Sequence, residues 1–337
     1  MKKKFVLTLA LVLMVAASLV AATPIEVSGT FTSGYDFTFA STNAFAQAED
    51  GSEAEVATVV DFTGDFWKVS LDGGTGVVYQ TDAAVLATAE IYLDKALAEE
   101  GIDLGDIALT LHVGSGVSGA APTVLADKND FRDDDGSALE MATAGDNFGI
   151  TLGYAELVEV YFSVDPTLKA LPMVAGATIT PVDGVEATVG LTNDYAGNNG
   201  MLVSAAADVA ALAGLDFALD VTGELIFDLD AETTVITADA ATTIEGIGVW
   251  AAYIKNAADV SKLAVEASYA LEVEGFTVTP SVKAQMNDLS NIVKATSEYT
   301  IGADAEYAMG GVTYALGASY AVNAEEFTVS PSVSISF

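Results

Sequence analysis

The sequence predicts an all-β protein that folds as a single transmembrane antiparallel β-barrel behind an export signal. Three features predict this fold: segments that alternate with period two, a basic and then apolar N-terminus, and a composition that is both acidic and hydrophobic. The chain has 337 residues and a formal charge of −36, yet its mean hydropathy is +0.42. An acidic disordered chain would be low in hydropathy and in aromatics, whereas this one carries 12 Tyr and 15 Phe.

The N-terminal segment has the pattern of a secretory signal peptide. Lys2, Lys3 and Lys4 precede an uncharged stretch at residues 5–22, which ends in the small residues Val20-Ala-Ala22. A retained helical anchor is the alternative, but no basic stop-transfer cluster follows. We therefore exclude residues 1–22 from the fold and assign residues 23–337 to the barrel. No later stretch is long and apolar enough for a membrane helix, so any spanning structure must be made of strands.

The charge of the predicted mature chain limits its partners. Without the three signal lysines, 9 basic residues stand against 48 acidic ones, a formal charge of −39. Nucleic acid and anionic lipid are poor partners for such a chain, and cations are better ones. The chain has no cysteine, so its fold depends on no disulfide.

The segment at residues 327–337 shows the strand pattern most clearly. Its apolar positions are Phe327, Val329, Val333, Ile335 and Phe337, and Thr or Ser fills the positions between them except at Pro331. This alternation predicts a strand with one apolar and one polar face. The same pattern recurs in runs of about ten residues, the length that crosses a bilayer at a tilt. The clearest runs are residues 25–39, 201–209, 215–221, 263–271 and 299–307.

Connections between these runs alternate in length. Short turns are predicted at residues 181–184, 211–214, 274–275 and 309–311, and longer polar loops at 194–200 and 287–297. The largest gap spans residues 114–146. Transmembrane barrels combine short turns at one end with long loops at the other. We expect an even number of strands, about 18. The alternatives are 16 or 14, because the boundaries of the strands within residues 54–94 are hard to assign.

Two details of the sequence do not fit this assignment of strands. A segment that begins at Ala267 recurs 51 residues later, beginning at Ala318. The first copy contains Phe276-Thr-Val-Thr-Pro-Ser-Val282, and the second contains the matching stretch Phe327-Thr-Val-Ser-Pro-Ser-Val333. One intervening strand would invert the second copy, so the similarity is convergent or the strand count is wrong by one. Pro280 and Pro331 lie mid-strand, where a missing N–H predicts a bulge.

The terminal segment resembles the C-terminal strand of bacterial outer-membrane β-barrels, which ends in Phe. In general organisation the chain resembles bacterial porins: a signal peptide, alternating strands and a terminal Phe. The resemblance implies an outer-membrane location, with the lipid bilayer as a partner. It also implies that insertion machinery recognises the end of the chain, at Val333, Ile335 and Phe337. Trimers are common among such proteins, so a homotrimer is left open, although the sequence shows no interface signature. Aromatics near both ends of the strands also fit bilayer interfaces.

Carboxylates on the polar faces form the candidate functional site. With so few basic residues, these carboxylates cannot be paired in a dry core and must face water. We interpret them as lining a pore that passes small hydrophilic solutes and ions by diffusion and weakly prefers cations. No catalytic residue, cofactor or metal is expected. The predicted pore-lining residues are Glu186, Asp216, Asp220, Glu224, Glu266, Glu272, Asp304 and Glu306.

Two other motifs have simpler interpretations. His112 is the only histidine and is predicted to face the lumen, with no Ser or acidic partner identified to make it catalytic. The acidic run at residues 127–136 suggests a calcium site, because calcium prefers carboxylate ligands. It does not have the EF-hand spacing, however, since Phe131 occupies the position of the first EF-hand ligand. A solvated acidic loop is the simpler interpretation.

Two alternatives to an open channel remain at this stage. The barrel can be plugged, for example by residues 114–146, and serve only as a structural anchor in the envelope. Alternatively, the chain can be a secreted β-rich adhesin whose carboxylates lie on the outer face of a sandwich.

Overall fold

The computed structural model describes the chain over residues 25–34, 37–40, 55–72, 76–77, 86–115, 146–166, 169, 171–193, 199–256, 258–293 and 297–337. The predicted signal peptide and the acidic run at residues 127–136 lie outside these ranges. So does most of the 114–146 segment. Expectations for those segments therefore remain predictions.

The described strands form one antiparallel sheet in which each strand pairs with its neighbours in sequence. The first strand also pairs with the last, from Thr30 opposite Ser336 to Gly34 opposite Ser332. This last pairing closes the sheet into a barrel of 18 strands. Closure leaves no unpaired sheet edge, which is the condition for a strand structure to span a membrane.

The first nine strands and the first helix occupy the N-terminal half of the chain. The first strand has two paired stretches, and so does the third. The bounds are β1 Glu26–Gly34 with Phe37–Ala40, β2 Glu55–Gly64, β3 Trp67–Asp72 with Gly76–Val77, β4 Leu86–Tyr92, α1 Leu93–Glu99, β5 Ile107–Ser115, β6 Asp146–Tyr154, β7 Val158–Val164, β8 Met173–Val182 and β9 Val185–Asn193.

The remaining nine strands and the second helix complete the ring. They are β10 Asn199–Asp208, α2 Val209–Ala213, β11 Ala218–Asp228, β12 Thr233–Ile244, β13 Ile247–Lys255, β14 Ser261–Tyr269 with Leu271–Val273, β15 Phe276–Met286, β16 Ser297–Met309, β17 Val312–Ala321 and β18 Glu326–Ser336. The predicted count of about 18 strands is confirmed, including three strands between residues 54 and 94.

The two ends of the barrel differ. Ile25 and Phe337 lie at the same end, which we call the turn end; the opposite one is the loop end. The tightest turn-end connections use left-handed backbone: Glu274 and Gly275 have φ of 52° and 90°, and Glu245 and Gly246 have 51° and 84°. Two consecutive positive φ values give the turn whose twist matches paired antiparallel strands.

The repeated segment is accommodated without a change in strand count. Phe276 begins β15 at the turn end, whereas Phe327 lies at the start of β18 at the loop end, with β16 and β17 between them. The first copy spans β14 and β15 and the second spans β17 and β18, so the single strand β16 between the copies gives them opposite directions. The similarity does not reflect a shared orientation.

The bulges expected at the two prolines are not present. Pairing of β14 with β15 stops at Ser268–Ser281 and resumes at Leu271–Val278 in the same register, so Pro280 interrupts the ladder without shifting it. Pro331 lies opposite Leu316 in an unbroken register. A register shift does occur in β8, between Ile179 and Val182.

The segment before β11 differs from the prediction. Residues 209–213, expected to end a strand and begin a turn, form the short helix α2. The Asp208 carboxylate accepts a hydrogen bond of 2.9 Å from the Ala211 N–H, and Gly214 ends the helix with φ of 65°. Side chain–backbone competition of this kind favours a helix cap over a continued strand. The strand consequently begins at Ala218 rather than Leu215.

The two faces of the sheet have opposite character. Within the described strands, the large apolar side chains that are highly exposed share one parity in each strand, which faces outward; the exception is Val182, which follows the register shift in β8. The inward parity carries the polar positions and the buried residues. None of the described helices is long and apolar enough to cross a membrane.

Candidate functional site: the barrel interior

The inner wall is built by the strand register, which brings inward residues of neighbouring strands into rows. Asp304 of β16 lies opposite Thr279 and Gly317, and Glu306 lies opposite Thr277 and Ala315. Directly opposed inward side chains are close enough to contact each other. Small and hydroxyl-bearing neighbours therefore leave these two carboxylates room, and both remain exposed.

Five of the other six predicted carboxylates occupy inward positions, and they fall into two groups. Asp220, Glu224 and Glu266 occupy inward positions of their strands, and Glu266 lies opposite Lys283. Glu186 and Glu272 are inward near the turn end, where Glu272 accepts a 2.8 Å hydrogen bond from the Thr277 hydroxyl.

Asp216 was assigned wrongly to the wall. It lies in the exposed connection between α2 and β11, outside any strand. The sequence pattern fails here because α2 shifts the start of the strand to Ala218. We therefore omit Asp216 from the candidate site.

An apolar cluster occupies part of the inner wall, which the sequence analysis did not predict. Leu202, Ile226 and Ile254 are at most 1% exposed, although all three face inward. The cluster spans β10 to β14 and is completed by Val235, Trp250, Ala252 and Ala264. Glu224, also inward, is only 2% exposed. The interior is therefore not uniformly open, and this wall differs from the polar wall of β15 to β18.

His112 belongs to a polar row that runs from β2 to β6. Its Nε2 lies 2.9 Å from the Thr151 hydroxyl, and its Nδ1 lies 3.8 Å from a Glu90 oxygen. The Tyr92 hydroxyl donates a 3.0 Å hydrogen bond to Glu90. The structure thus places His112 on the inner wall, with partners that the sequence did not identify. The 3.8 Å separation is too long for a hydrogen bond that would orient a catalytic histidine.

A cavity of about 900 Å³ opens at the turn end, against the inner wall of β5 to β9. Its described lining includes the carboxylates of Asp94, Asp106, Glu156, Glu159 and Glu186, and no lysine or arginine. Only Glu186 was predicted from the sequence. The other four come from α1, two connections and β7, where no alternation pattern drew attention to them.

The outer surface has aromatic residues near both ends of the strands. At the turn end Phe276 and Tyr307 stack with ring centroids 4.7 Å apart, and at the loop end Phe39 and Phe327 stack at 6.2 Å. Phe337 is 60% exposed beside this turn-end belt. Amphipathic or aromatic side chains in two belts around an aliphatic band match the two interfaces of a bilayer.

Loop-end carboxylates are held in the charged form by local hydrogen bonds. The Ser290 hydroxyl and N–H both donate to Asp288, which lowers the pKa of that carboxyl. The hydrogen bond from Lys255 at 2.8 Å likewise lowers the pKa of Asp259. Within the described residues, no cluster of histidine or carboxylate side chains is arranged to hold a metal ion.

A closed β-barrel with an apolar exterior and a carboxylate-bearing interior has the architecture of porin-like outer-membrane barrels. No family model matches the chain, and no curated protein matches it in sequence. Solved structures do resemble it. A mutant of the Rh. blastica porin aligns with a TM-score of 0.55 at 12% identity, covering 93% of this chain and 100% of that one.

Two other solved structures point to the same fold. A BenF-like porin from Pseudomonas fluorescens Pf-5 aligns with a TM-score of 0.56 at 12% identity, covering 93% of this chain and 98% of that one. Wzi, an Escherichia coli outer-membrane protein involved in group 1 capsule assembly and described as a carbohydrate-binding β-barrel, gives 0.54 at 10% identity. That match covers 96% of this chain and 86% of Wzi. Identities this low establish the barrel fold and nothing about what passes through it.

Proposed function

We propose that this protein is an outer-membrane channel through which small hydrophilic solutes diffuse, with a modest preference for cations. The observation that carries the proposal is the polar inner wall within a closed ring of 18 strands. Barrels of about this size enclose an aqueous passage, whereas barrels of about eight strands are filled by side chains. The fold requires no catalytic group for this function.

The charge of the inner wall supports the cation preference. In the described strands its amines are Lys68, Lys262 and Lys283, and its carboxylates are more numerous. Lys68 is already paired with Asp61 at 3.0 Å. Fixed charge on low-dielectric walls concentrates counter-ions in the passage. Screening over about 8 Å at physiological salt weakens this effect in a wide pore, so the preference should be modest and strongest in dilute salt.

Reversal potentials in a KCl gradient across a planar bilayer test the proposal. We expect a cation-selective potential that falls when Asp220, Glu266, Asp304 and Glu306 are changed to Asn or Gln. The matched control neutralises Asp183, Glu245, Glu274 and Glu325, which are exposed carboxylates in the connections between strands. The control should retain most of the selectivity. Anion preference in the unmodified protein would contradict the proposal.

A plugged structural barrel is the second candidate, and the buried apolar cluster on the inner wall favours it. Side chains such as Leu202 and Ile254 are covered although they face the interior. A barrel that inserts into bilayers and gives no measurable conductance would support this anchoring function instead.

Assembly of the channel involves two further proposed partners. The bilayer contacts the aromatic belts, and insertion machinery recognises the segment that includes Val333, Ile335 and Phe337. Measurement of the oligomeric state in detergent tests whether three copies associate.

A further inference from the structure

We propose that a groove on the outer face of the barrel binds a phospholipid whose headgroup carries a primary ammonium group. The groove lies across β13 to β16 and has a volume of about 590 Å³, within the range of small-molecule sites. The proposal does not depend on the channel function. The lining of the groove includes outward residues from these four strands: Ile247, Ala267, Tyr269, Pro280, Val282 and Ile301.

Differences in side-chain size produce the groove. Val282 and Ile301 lie opposite each other and are 54% and 57% exposed, so both project from the wall. Ala267, which lies opposite Val282 on the other side, is much smaller. An apolar chain that lies in such a concave surface makes more van der Waals contacts than it makes on a flat wall. The groove is continuous with the apolar outer face, where the bilayer supplies acyl chains.

The backbone at the groove has a carbonyl that the neighbouring strand cannot satisfy. The Ala270 N–H donates to the Gly246 carbonyl at 3.2 Å, on the β13 side. Backbone groups of successive residues in an antiparallel strand point to opposite neighbours. Those of Tyr269 therefore face β15, where Pro280 lies opposite in the register. Proline has no N–H, so residue 280 cannot donate the ladder hydrogen bond to the Tyr269 carbonyl. An ammonium group, which has three donors, suits this acceptor.

The end of the groove nearest the turn carries a negative charge. Glu245, in the turn before β13, is exposed and lines the groove, whose described lining includes no lysine or arginine. An exposed carboxylate attracts an ammonium group and repels a lipid with a net negative charge. This end of the groove therefore favours an ammonium-bearing headgroup over an anionic one.

The position of the Tyr269 ring indicates that this end lies at the level of lipid headgroups. A Cβ atom on Gly246 would be 3.1 Å from a carbon of that ring, so the ring lies across the turn that contains Glu245. Tyrosine rings are enriched at the interface between membrane and water. The carboxylate is therefore placed to contact a headgroup while the acyl chain of the same lipid lies against Ala267 and Val282.

Photo-crosslinking in lipid vesicles tests the proposal. The barrel is folded into phosphatidylcholine vesicles that contain a trace of phosphatidylethanolamine with a diazirine on its acyl chain, and labelled peptides are identified by mass spectrometry. We expect the label to concentrate on Ala267, Val282 and Ile301, above its level on the outward face of β6 and β7. The same analogue with a phosphatidylglycerol headgroup should label the groove less.

Two variants, each with a matched control, separate the contributions of the groove and of its charge. Ala267→Phe should fill the groove and remove the concentrated label, whereas Ala238→Phe adds the same ring to an exposed outward position of β12, outside the groove. Glu245→Gln should lower the preference for phosphatidylethanolamine about twofold to fivefold, the effect of one surface ion pair. Glu274→Gln should leave this preference unchanged, because Glu274 has the same left-handed backbone in the next turn and does not line the groove.

Three results would overturn the proposal: uniform label around the outer face, concentrated label that persists in Ala267→Phe, or equal label of the groove from the two headgroups. Protection of the groove from both analogues in associated barrels would overturn it in favour of a second copy of the chain. Heat-modifiable migration checks that each variant is folded. Conductance is measured separately, so a conducting barrel with uniform label would reject only this inference.

Discussion

Phe337 and Gly29 meet at the seam where the barrel closes. The Gly29 N–H donates to the Phe337 carbonyl at 2.9 Å, and the Phe337 N–H donates to the Gly29 carbonyl at 3.1 Å. A Cβ atom on Gly29 would lie 2.5 Å from the Val59 carbonyl oxygen and 2.8 Å from Cζ of Phe337. The seam therefore requires glycine at this position so that the aromatic ring can cover the backbone.

Gly29→Ala should destabilise the barrel by about 1–3 kcal/mol, the usual cost of overpacking. Gly223→Ala is the matched control, since Gly223 is also an outward strand glycine and its nearest neighbour would be 3.9 Å from an added Cβ. Denaturant unfolding in detergent measures both variants. Equal stability of the two would mean that the seam relaxes without cost.

At the scale of an element, β16 shows how one register fixes two surfaces. Ala303 lies opposite Ala318 on the outer face, and Asp304 lies opposite Gly317 on the inner face. A slip of one residue would exchange the two faces along the whole strand. The register therefore decides which residues of β16 contact water.

Single cysteines at positions 303 and 304 test this register, because the chain has no cysteine of its own. A membrane-impermeant thiol reagent that enters the passage should label Asp304→Cys and spare Ala303→Cys. Single cysteines at Ile301 and Gly302, two residues earlier in β16, provide a second comparison: position 302 should be labelled and position 301 spared. Reversed labelling would show that β16 presents the opposite face.

For the whole molecule, closure depends on the last strand, and we expect insertion to depend on it as well. Phe337 places an exposed ring at the turn-end interface and also pairs its backbone with β1. These two contributions are separable. Phe337→Ala removes the ring and keeps the backbone hydrogen bonds, whereas deletion of Phe337 removes both.

We expect both changes to lower the amount of folded protein in the outer membrane, with deletion the more severe. Phe337→Tyr keeps an aromatic ring and should assemble normally. Heat-modifiable migration of the membrane fraction measures the folded amount. If Phe337→Ala assembles as well as the unmodified chain, the ring is not the feature that insertion machinery recognises.

Local alternation was sufficient to predict most of the barrel, because a strand with one face in lipid and one in water repeats every two residues. The outward placement of Tyr299, Ile301 and Ala305 and the inward placement of Asp304 follow directly from that period. The effects of the two prolines and the presence of α2 were harder to predict, because a missing N–H or a side-chain cap acts through a particular neighbour. Asp208 caps α2 through Ala211, for example, and no periodicity reports such a contact.

The sequence by itself determined the all-β class, the approximate strand count and the polarity of each strand, because these depend on side-chain period and segment length. Only the tertiary structure decided which residues share the interior. Glu159 and Glu186 lie on strands separated by β8, and the partners of His112 come from β4 and β6. The buried cluster around Leu202 and Ile254 combines five strands. Such groupings arise from register and closure, which join residues that are distant along the chain, and a local pattern carries no information about them.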